Sequence, residues 1–425
     1  MNLHKIKARA KVAAILIATT GSLVGGNLAS ASRTAGADPA AASAYNGVGS
    51  DTIQDLFDAY SGAEPFPPSP ATVYSIPMHS SAASGNKTIN SWDAVPAGGT
   101  AAAPGCIITK YGGNSFDRPN GSSNGIAAIR AAATVPPTTF ANSAATCAGP
   151  QPVTGQVDFA RSSRGPNAGT SPCATPPDCL SWVPFARDAV SFAFYDHSTN
   201  NIATLTTTKL HDLYSSGTGT LCASGVAPPC AAGDDLIKAC LTQSGSGTTK
   251  FWEGAIGVAD AVAVNAATMS GCYGTVGIEE NGANAFFTFA SAQPLGTDSV
   301  VDFSAGSWIS QANGVALDRS GTARAGGVDM GAIDALGKPY IGTAPNEAPN
   351  PVFYASPLYG RDVYVVVSTR KFAAITGDAG LKSLFLGGTA QICTAGALAT
   401  ALKFGFSSPP SVACGTQITA NLAGS

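Results

Sequence analysis

Four short segments of this chain place serine or threonine next to glycine, just ahead of residues that can form a helix. They lie at 49–52, 121–125, 161–165 and 244–249. Glycine allows the backbone to approach a ligand closely, hydroxyl groups donate hydrogen bonds, and the free N–H groups of a helix N-terminus favour anions. The four turns together predict one site, lined by hydroxyl groups, that binds a small oxyanion or another small polar solute.

The candidate ligand-binding residues come from these turns. A structural role stays open for each of them, because hydroxyls and aspartate also cap helices and arginines also form salt bridges. Asp51 in particular is interpreted as a helix cap, and Glu279 with Glu280 as a solvated strand end. The full candidate set is Ser50, Asp51, Thr52, Ser122, Ser123, Arg161, Ser162, Ser163, Ser246, Gly247, Thr248 and Thr249.

An enzyme is the first alternative class. Residues 121–125 fit the G-x-S-x-G pattern of a hydrolase nucleophile, which would use Ser123 with Asp188 and either His197 or His211. No strand pattern precedes Gly121 directly, as that motif requires, so we predict no catalytic residue. Histidine and cysteine spacings suit no metal, and no lysine-bearing phosphate loop is present. We therefore expect neither a metal nor a cofactor.

The N-terminus predicts export. Basic residues up to Lys11 precede an apolar stretch at 12–24 and small-residue cleavage sites, which is typical of a signal peptide over 1–37. Removing its five basic residues leaves 18 basic against 26 acidic side chains, a net charge of −8. This balance argues against nucleic acid as a partner. With no cysteine before Cys106 to carry a lipid, and no further membrane segment, we expect a secreted, extracellular protein.

All ten cysteines follow the signal peptide, and an even number in an exported chain predicts disulfides. Connectivity cannot be fixed from sequence, and pairing of neighbours in chain order is the simplest hypothesis. It gives Cys106–Cys147, Cys173–Cys179, Cys222–Cys230, Cys240–Cys272 and Cys393–Cys414.

Strand and helix patterns alternate along the chain, which predicts an α/β fold with largely parallel sheets. Ligands of such sheets bind beyond the carboxyl ends of strands. The predicted strands are a short one from Tyr45 into the first glycine turn, 72–76, 157–160, 184–195, 274–278, 300–302, 315–317 and 362–368. The predicted helices are one capped by Ser50 or Asp51 that runs through Tyr60, 126–133, 206–214, 251–257 and 379–386.

The four turns, in this order, resemble those of the phosphate-binding proteins of phosphate ABC transporters. Residues 245–249 (GSGTT) are similar to that family's Gly-Ser-Gly-Thr loop, 121–126 to its second serine turn, 158–163 to its Asp-Phe-Gly-Ala-Ser-Asp segment and 47–52 to its first glycine turn. The resemblance spans about residues 45–410. It implies a two-lobed, type 2 periplasmic-binding-protein fold, with two mixed, mostly parallel sheets flanked by helices.

On this resemblance, lobe I comprises 38–188 plus 350–425 and lobe II comprises 189–349, with a hinge near 187–190 and 350–366. The implied function is capture of a solute by a monomer, with an ABC transporter permease as a possible partner. The family's binding arginine falls at Thr242 and its binding aspartate at Ser163, so the resemblance implies the site but not phosphate as its ligand. A non-transport surface protein that kept the fold is the remaining alternative.

Overall fold

The computed structural model describes residues 45–62, 78–96, 103–134, 138–142, 147, 149–167, 179–197, 202–243, 245–258 and 278–421. The predicted signal peptide, the predicted strand at 72–76 and residues 274–277 of another lie outside these ranges. Within them, no helix combines the length and hydrophobicity needed to cross a membrane.

Eighteen strands occur in the described part of the chain. They are β1 (Tyr45–Gly49), β2 (Ile89–Ser91), β3 (Cys106–Ile107), β4 (Phe116–Asp117), β5 (Thr139–Phe140), β6 (Gln151–Pro152), β7 (Phe159–Ser162), β8 (Cys179–Tyr195), β9 (Thr204–Leu205), β10 (Thr220–Cys222), β11 (Leu236–Cys240), β12 (Thr297–Ser304), β13 (Asp329–Met330), β14 (Ala332–Ile333), β15 (Tyr340–Ile341), β16 (Ala348–Pro349), β17 (Gly360–Ser368) and β18 (Ile418–Asn421).

Ten α-helices occur in the same ranges. They are α1 (Gln54–Ser61), α2 (Gly121–Ala133), α3 (Thr207–Ser215), α4 (Gly247–Ala255), α5 (Ala283–Ser291), α6 (Ala305–Ala312), α7 (Gly321–Ala325), α8 (Pro351–Tyr354), α9 (Ala379–Phe385) and α10 (Ala395–Lys403).

One mixed sheet organises the fold. Its order is β10-β11-β12-β8-β17-β7-β1-β2, with β13 and β18 also paired to β8. The α/β class is thus as predicted, but the strands form one continuous sheet because β8, at 17 residues, is long enough to pair with strands on both sides. Within this sheet, parallel pairing is confined to β1–β2, β1–β7 and β11–β12, so the sheet is less parallel than predicted.

The buried apolar side chains divide where β8 passes from one half of the sheet to the other. Two clusters contain residues of β8 up to Ala186 together with residues from both ends of the described chain. Val315 and Ala316 belong to one of these two clusters. Two others draw on residues 189–359. Residues 33–425 nevertheless form one compact unit, so the proposed lobe boundaries stay a prediction.

Most predicted elements that fall in the described ranges are present, with shifted ends. The predicted strand at 315–317 is wrong, because these residues form a bend after α6 and their apolar side chains pack on the core without sheet partners. The helix predicted from Ile126 begins at Gly121, so the serine turn is itself the first turn of α2.

Four charged residues face one another where β8 and β17 pair. The antiparallel register places Arg187 opposite Asp362 and Asp188 opposite Arg361. Arg187 Nη1 lies 3.0 Å from Asp362 Oδ1, and Arg361 Nη2 lies 2.7 Å from Asp188 Oδ2. Buried charges are tolerated at the centre of a sheet because each one meets its opposite.

Three predicted disulfides are confirmed: Cys106–Cys147, Cys222–Cys230 and Cys393–Cys414. Cys179 and Cys240 are also disulfide-bonded. Their predicted partners, Cys173 and Cys272, lie outside the described residues, so those two pairings stay predictions.

The Asp188–Arg361 pair gives a stability prediction. Asp188→Ala leaves a guanidinium that is 2% exposed without its carboxylate, and we expect the free energy of unfolding to fall by about 3–5 kcal/mol. Asp318→Ala is the control, because the side chains of its pair with Arg324 are 42% and 20% exposed, and it should cost less than about 1 kcal/mol. Denaturant unfolding measures the free energy of unfolding of both variants. Equal losses for the two would contradict the interpretation of Asp188–Arg361 as a buried ion pair.

Candidate functional site

Four hydroxyl groups from the four predicted turns meet at one place. We call Thr52, Ser122, Ser163 and Thr248 the hydroxyl cluster. Thr52 lies in the turn that leads into α1, Ser122 and Thr248 are the second residues of α2 and α4, and Ser163 directly follows β7. All four are buried.

The hydroxyl cluster consists of two pairs. The Oγ1 atoms of Thr52 and Thr248 lie 3.3 Å apart, and the Oγ atoms of Ser122 and Ser163 lie 3.1 Å apart. Ser122 Oγ also accepts the backbone N–H of Ser163 at 3.0 Å. Side-chain contacts therefore tie the turn before α1 to the first turn of α4, and the first turn of α2 to the end of β7.

Glycine makes this convergence possible. A Cβ atom on Gly247 would lie 2.4 Å from the hydroxyl oxygens of both Ser122 and Ser163. A Cβ atom on Gly121 would lie 2.5 Å from the carbonyl oxygen of Gly245, and both residues have positive φ angles. The N–H of Ser123 donates to that same carbonyl at 3.0 Å. Larger residues would hold α2 and α4 apart.

A carboxyl group lies against the hydroxyl cluster. Glu280 Oε1 accepts hydrogen bonds from the hydroxyls of Thr52 and Thr248, and Ser163 Oγ lies 3.4 Å from it. Glu280 is fully buried, and its Oε2 atom has no hydrogen-bond partner. The interpretation of Glu280 as part of a solvated strand end is therefore wrong. The residue follows the bridge of Ile278 to Thr242, which brings it inside the fold.

The positive charge at the cluster comes from Arg361 on β17. Its Nη2 atom donates to Thr248 Oγ1 at 2.8 Å as well as to Asp188, while Nη1 has no hydrogen-bond partner. Asp188 also accepts from the hydroxyl of Ser304 and the N–H of Gly306. These contacts fix the guanidinium at the junction of β8, β12 and β17.

Arg161, a predicted ligand residue, has a different environment. It is fully buried, and its guanidinium donates to the carbonyl oxygens of Gly47, Gly49, Ser50 and Trp92, and to the Ser91 hydroxyl. All five N–H groups are thereby used. Arg161 holds the end of β1 and the turn after it, and it supplies no free donor to the cluster.

The other predicted residues surround the cluster. Ser246 caps α4 by accepting from the N–H groups of Thr248 and Thr249, at 3.0 and 3.1 Å. The Ser162 hydroxyl donates to the carbonyl of Arg164, and the Ser50 hydroxyl is buried without a partner.

Thr249 belongs to a separate network that anchors α4. Its hydroxyl lies 2.6 Å from that of Thr242 and donates to Asp302 Oδ2 at 3.1 Å. Asp302 also accepts from the N–H and the hydroxyl of Thr242, both at 2.9 Å. Burial raises the pKa of Asp302 to about 6. The position that the family resemblance assigns to an arginine thus serves to attach α4 to β11 and β12.

Three carboxyl groups adjoin the site: Asp51, Glu279 and Glu280. The helix-cap interpretation of Asp51 is wrong, since the N-cap of α1 is Ile53 and Asp51 Oδ2 accepts from Gln243 Nε2 at 3.1 Å. Burial and the nearby charge of Glu279 raise the pKa of Asp51 to about 8. Burial also raises the pKa of both glutamates, and the Asp51 charge raises that of Glu280 further. A pKa of about 8 favours the protonated form of Asp51 at neutral pH, and the shifts of the two glutamates have the same direction.

The hydrogen bonds seen in the described residues do not join Ser123 to either histidine of the serine-hydrolase alternative. Ser123 Oγ lies 3.5 Å from Arg164 Nη2. Both residues line a groove of about 890 Å³ beside α4. Nδ1 of His197 is instead 3.4 Å from the carbonyl oxygen of Pro294, and Nδ1 of His211 is 3.0 Å from that of Ile256. Neither ring is placed to activate Ser123 through these bonds.

No protein-family model matches the chain, and no curated protein matches its sequence. Several solved structures align with the chain at low sequence identity. A DING protein structure is 13% identical, with 87% of this chain and 92% of that one covered and a TM-score of 0.40. A human phosphate-binding apolipoprotein is 14% identical, with 87% and 92% covered and a TM-score of 0.38. PstS from Borrelia burgdorferi is 12% identical, with 85% and 97% covered and a TM-score of 0.37.

The raised carboxyl pKa values predict how stability depends on pH. Asp51 binds its proton more tightly in the folded chain, with a pKa of about 8 against an ordinary value of 3.8. The folded state then holds more protons than the unfolded state between these values, so stability falls as pH rises through that window. Asp51→Asn should flatten the slope by up to about 1.4 kcal/mol per pH unit.

Urea unfolding at a series of pH values measures this slope. Asp318→Asn, at an exposed aspartate outside the site, is the control and should leave it unchanged. Identical slopes for wild type and Asp51→Asn would show that Asp51 is ionised in the folded chain at neutral pH.

Proposed function

We propose that this chain is an exported solute-binding protein that captures a small, phosphate-like oxyanion at the hydroxyl cluster. The observation that carries the proposal is the convergence of three helix N-termini and four hydroxyl groups beside one buried guanidinium. Hydroxyl donors, the positive ends of α1, α2 and α4, and the Arg361 charge all favour negative oxygen atoms. The residues bind and position a solute, and no step of bond making or breaking is assigned to them.

Binding requires the site to open. Every residue of the hydroxyl cluster is at most 5% exposed, so a solute enters only when α4 separates from α1 and α2. We propose the hinge at 187–190 and 350–366, where β8 and β17 connect the two halves of the sheet. The resemblance to transporter binding proteins supports delivery of the solute to an ABC transporter permease. We propose that the binding protein acts as a monomer.

A small neutral solute rich in hydroxyl groups is the second candidate ligand. Asp51 and Glu280 favour it, because carboxyl oxygens accept hydrogen bonds from solute hydroxyls, and because these groups repel a dianion whenever they are ionised. An extracellular protein that keeps the fold without a transporter would share the same site, so ligand binding does not separate these two roles. Measuring the uptake of labelled ligand by cells that lack this chain distinguishes a transport role from a non-transport role.

Thr248→Val tests the site directly, with Thr249→Val as its matched control on the same helix. The first change removes a hydroxyl of the cluster and should weaken phosphate or sulfate binding by about tenfold. The second removes a hydroxyl that bonds Thr242 and Asp302, so it should lower stability and leave affinity within about twofold.

Isothermal titration calorimetry of the mature chain measures both affinities. The titrants are phosphate, sulfate and a neutral polyol of similar size. Heat from the polyol alone would favour the second candidate ligand. No heat from any of the three would contradict the solute-binding proposal.

A further inference from the structure

The Glu280 side chain takes the position of a ligand in its own binding site. One carboxyl oxygen accepts from two hydroxyls of the cluster and lies 3.4 Å from a third, that of Ser163. These are the donors that an oxyanion oxygen would use. Arg361 lies on the same side, since its Nη2 atom bonds Thr248 Oγ1.

We propose that Glu280 is a tethered competitor, whose carboxyl group must leave the hydroxyl cluster before an oxyanion can bind there. This inference rests on the proposed function and concerns the selectivity of the same site. It makes Glu280 a specificity-determining residue: an oxyanion is bound only if its contacts outweigh those of the chain's own carboxyl.

The contacts of Glu280 are poor enough for displacement to be feasible. Its carboxyl group lies against that of Asp51, whose charge opposes its ionisation, and the guanidinium that faces it forms its ion pair with Asp188. A buried carboxyl without an ion pair is costly to keep. Moving it toward solvent recovers hydration, which offsets part of the lost contacts with the cluster hydroxyls.

The backbone around Glu280 is suited to such a movement. The residue lies in a short turn closed by the N–H of Gly282 donating to the carbonyl of Glu279 at 2.8 Å, and α5 begins one residue later. The turn follows the bridge between Ile278 and Thr242. Gln311 Nε2 donates to the carbonyl of Asn281 at 3.1 Å, and Asn120 Nδ2 donates to Glu279 Oε2 at 3.3 Å, and neither bond involves the Glu280 side chain. The side chain is thus held mainly by the hydroxyls for which the ligand competes.

Competition of this kind depends on pH through the groups that face Glu280. They are Asp51 ahead of α1, Glu279 in the same turn, Asp302 at the end of β12 and Arg361 on β17. Raising the pH adds negative charge to the carboxyl groups around the cluster. Oxyanion affinity should therefore be higher at lower pH for an anion whose own charge is constant.

Sulfate titrations of wild type, Glu280→Gln and Glu347→Gln test the proposal, because sulfate keeps its charge over the range used. Glutamine has the same size but lacks the carboxylate charge, and we expect sulfate to bind at least about tenfold tighter at about pH 8. Glu347, a partly buried glutamate outside the hydroxyl cluster, is the matched control, and its variant should stay within about twofold of wild type.

Sulfate binding by Glu280→Gln that is equal to or weaker than that of wild type would overturn the tethered competitor and leave solute binding intact. If neither chain binds sulfate or phosphate, the proposed oxyanion function fails, and the inference fails with it. Circular dichroism establishes that the variant folds. If it does not, the wild-type pH series decides: tighter sulfate binding from about pH 8 to about pH 5 supports the proposal, and a flat profile overturns it.

Discussion

The pairing of β8 with β17 at their charged residues is the constraint on which the site depends. Arg187 with Asp362 and Asp188 with Arg361 fix the register of the two strands that join the halves of the sheet. Register is strongly specified here, since a slip of one residue would bury like charges against each other. Through this register the Arg361 guanidinium reaches α4 from a strand in the other half of the sheet.

Burial explains both the strength and the selectivity expected of the site. The hydroxyl cluster excludes water, so its donors act in a medium of low dielectric constant and hold an anion more strongly than they would at the surface. The same burial opposes ionisation of Asp51 and Glu280 and raises their pKa values. A site that attracts anions through Arg361 and repels them through carboxyls discriminates between solutes by charge and protonation.

Much of this arrangement could be predicted from sequence, because each turn carries a local signal. Glycine and hydroxyl residues before helical patterns located Thr52, Ser122, Ser163 and Thr248, and the resemblance supplied the fold that brings them together. Local patterns could not locate Arg361, whose role follows from the register of two strands distant in sequence. The sequence signal at Arg361 is its position next to Asp362, where a charged pair begins an apolar strand.

The errors have the same physical origin. Glu279 and Glu280 resemble a solvated strand end because adjacent glutamates are usually exposed, and only tertiary contacts bury Glu280. Arg161 suits an anion site by type, yet the carbonyl oxygens around the end of β1 use all of its donors. Residue type predicts which chemistry is available, whereas the fold decides which partner takes it.

A crystal structure of the mature chain grown in saturating phosphate tests the central claim most directly. The account predicts a tetrahedral anion bonded to the hydroxyls of Thr52, Ser163 and Thr248 and facing Arg361, with the Glu280 carboxyl moved out of the cluster. A structure in which Glu280 keeps its bonds to Thr52 and Thr248 and no anion lies at the cluster would contradict it.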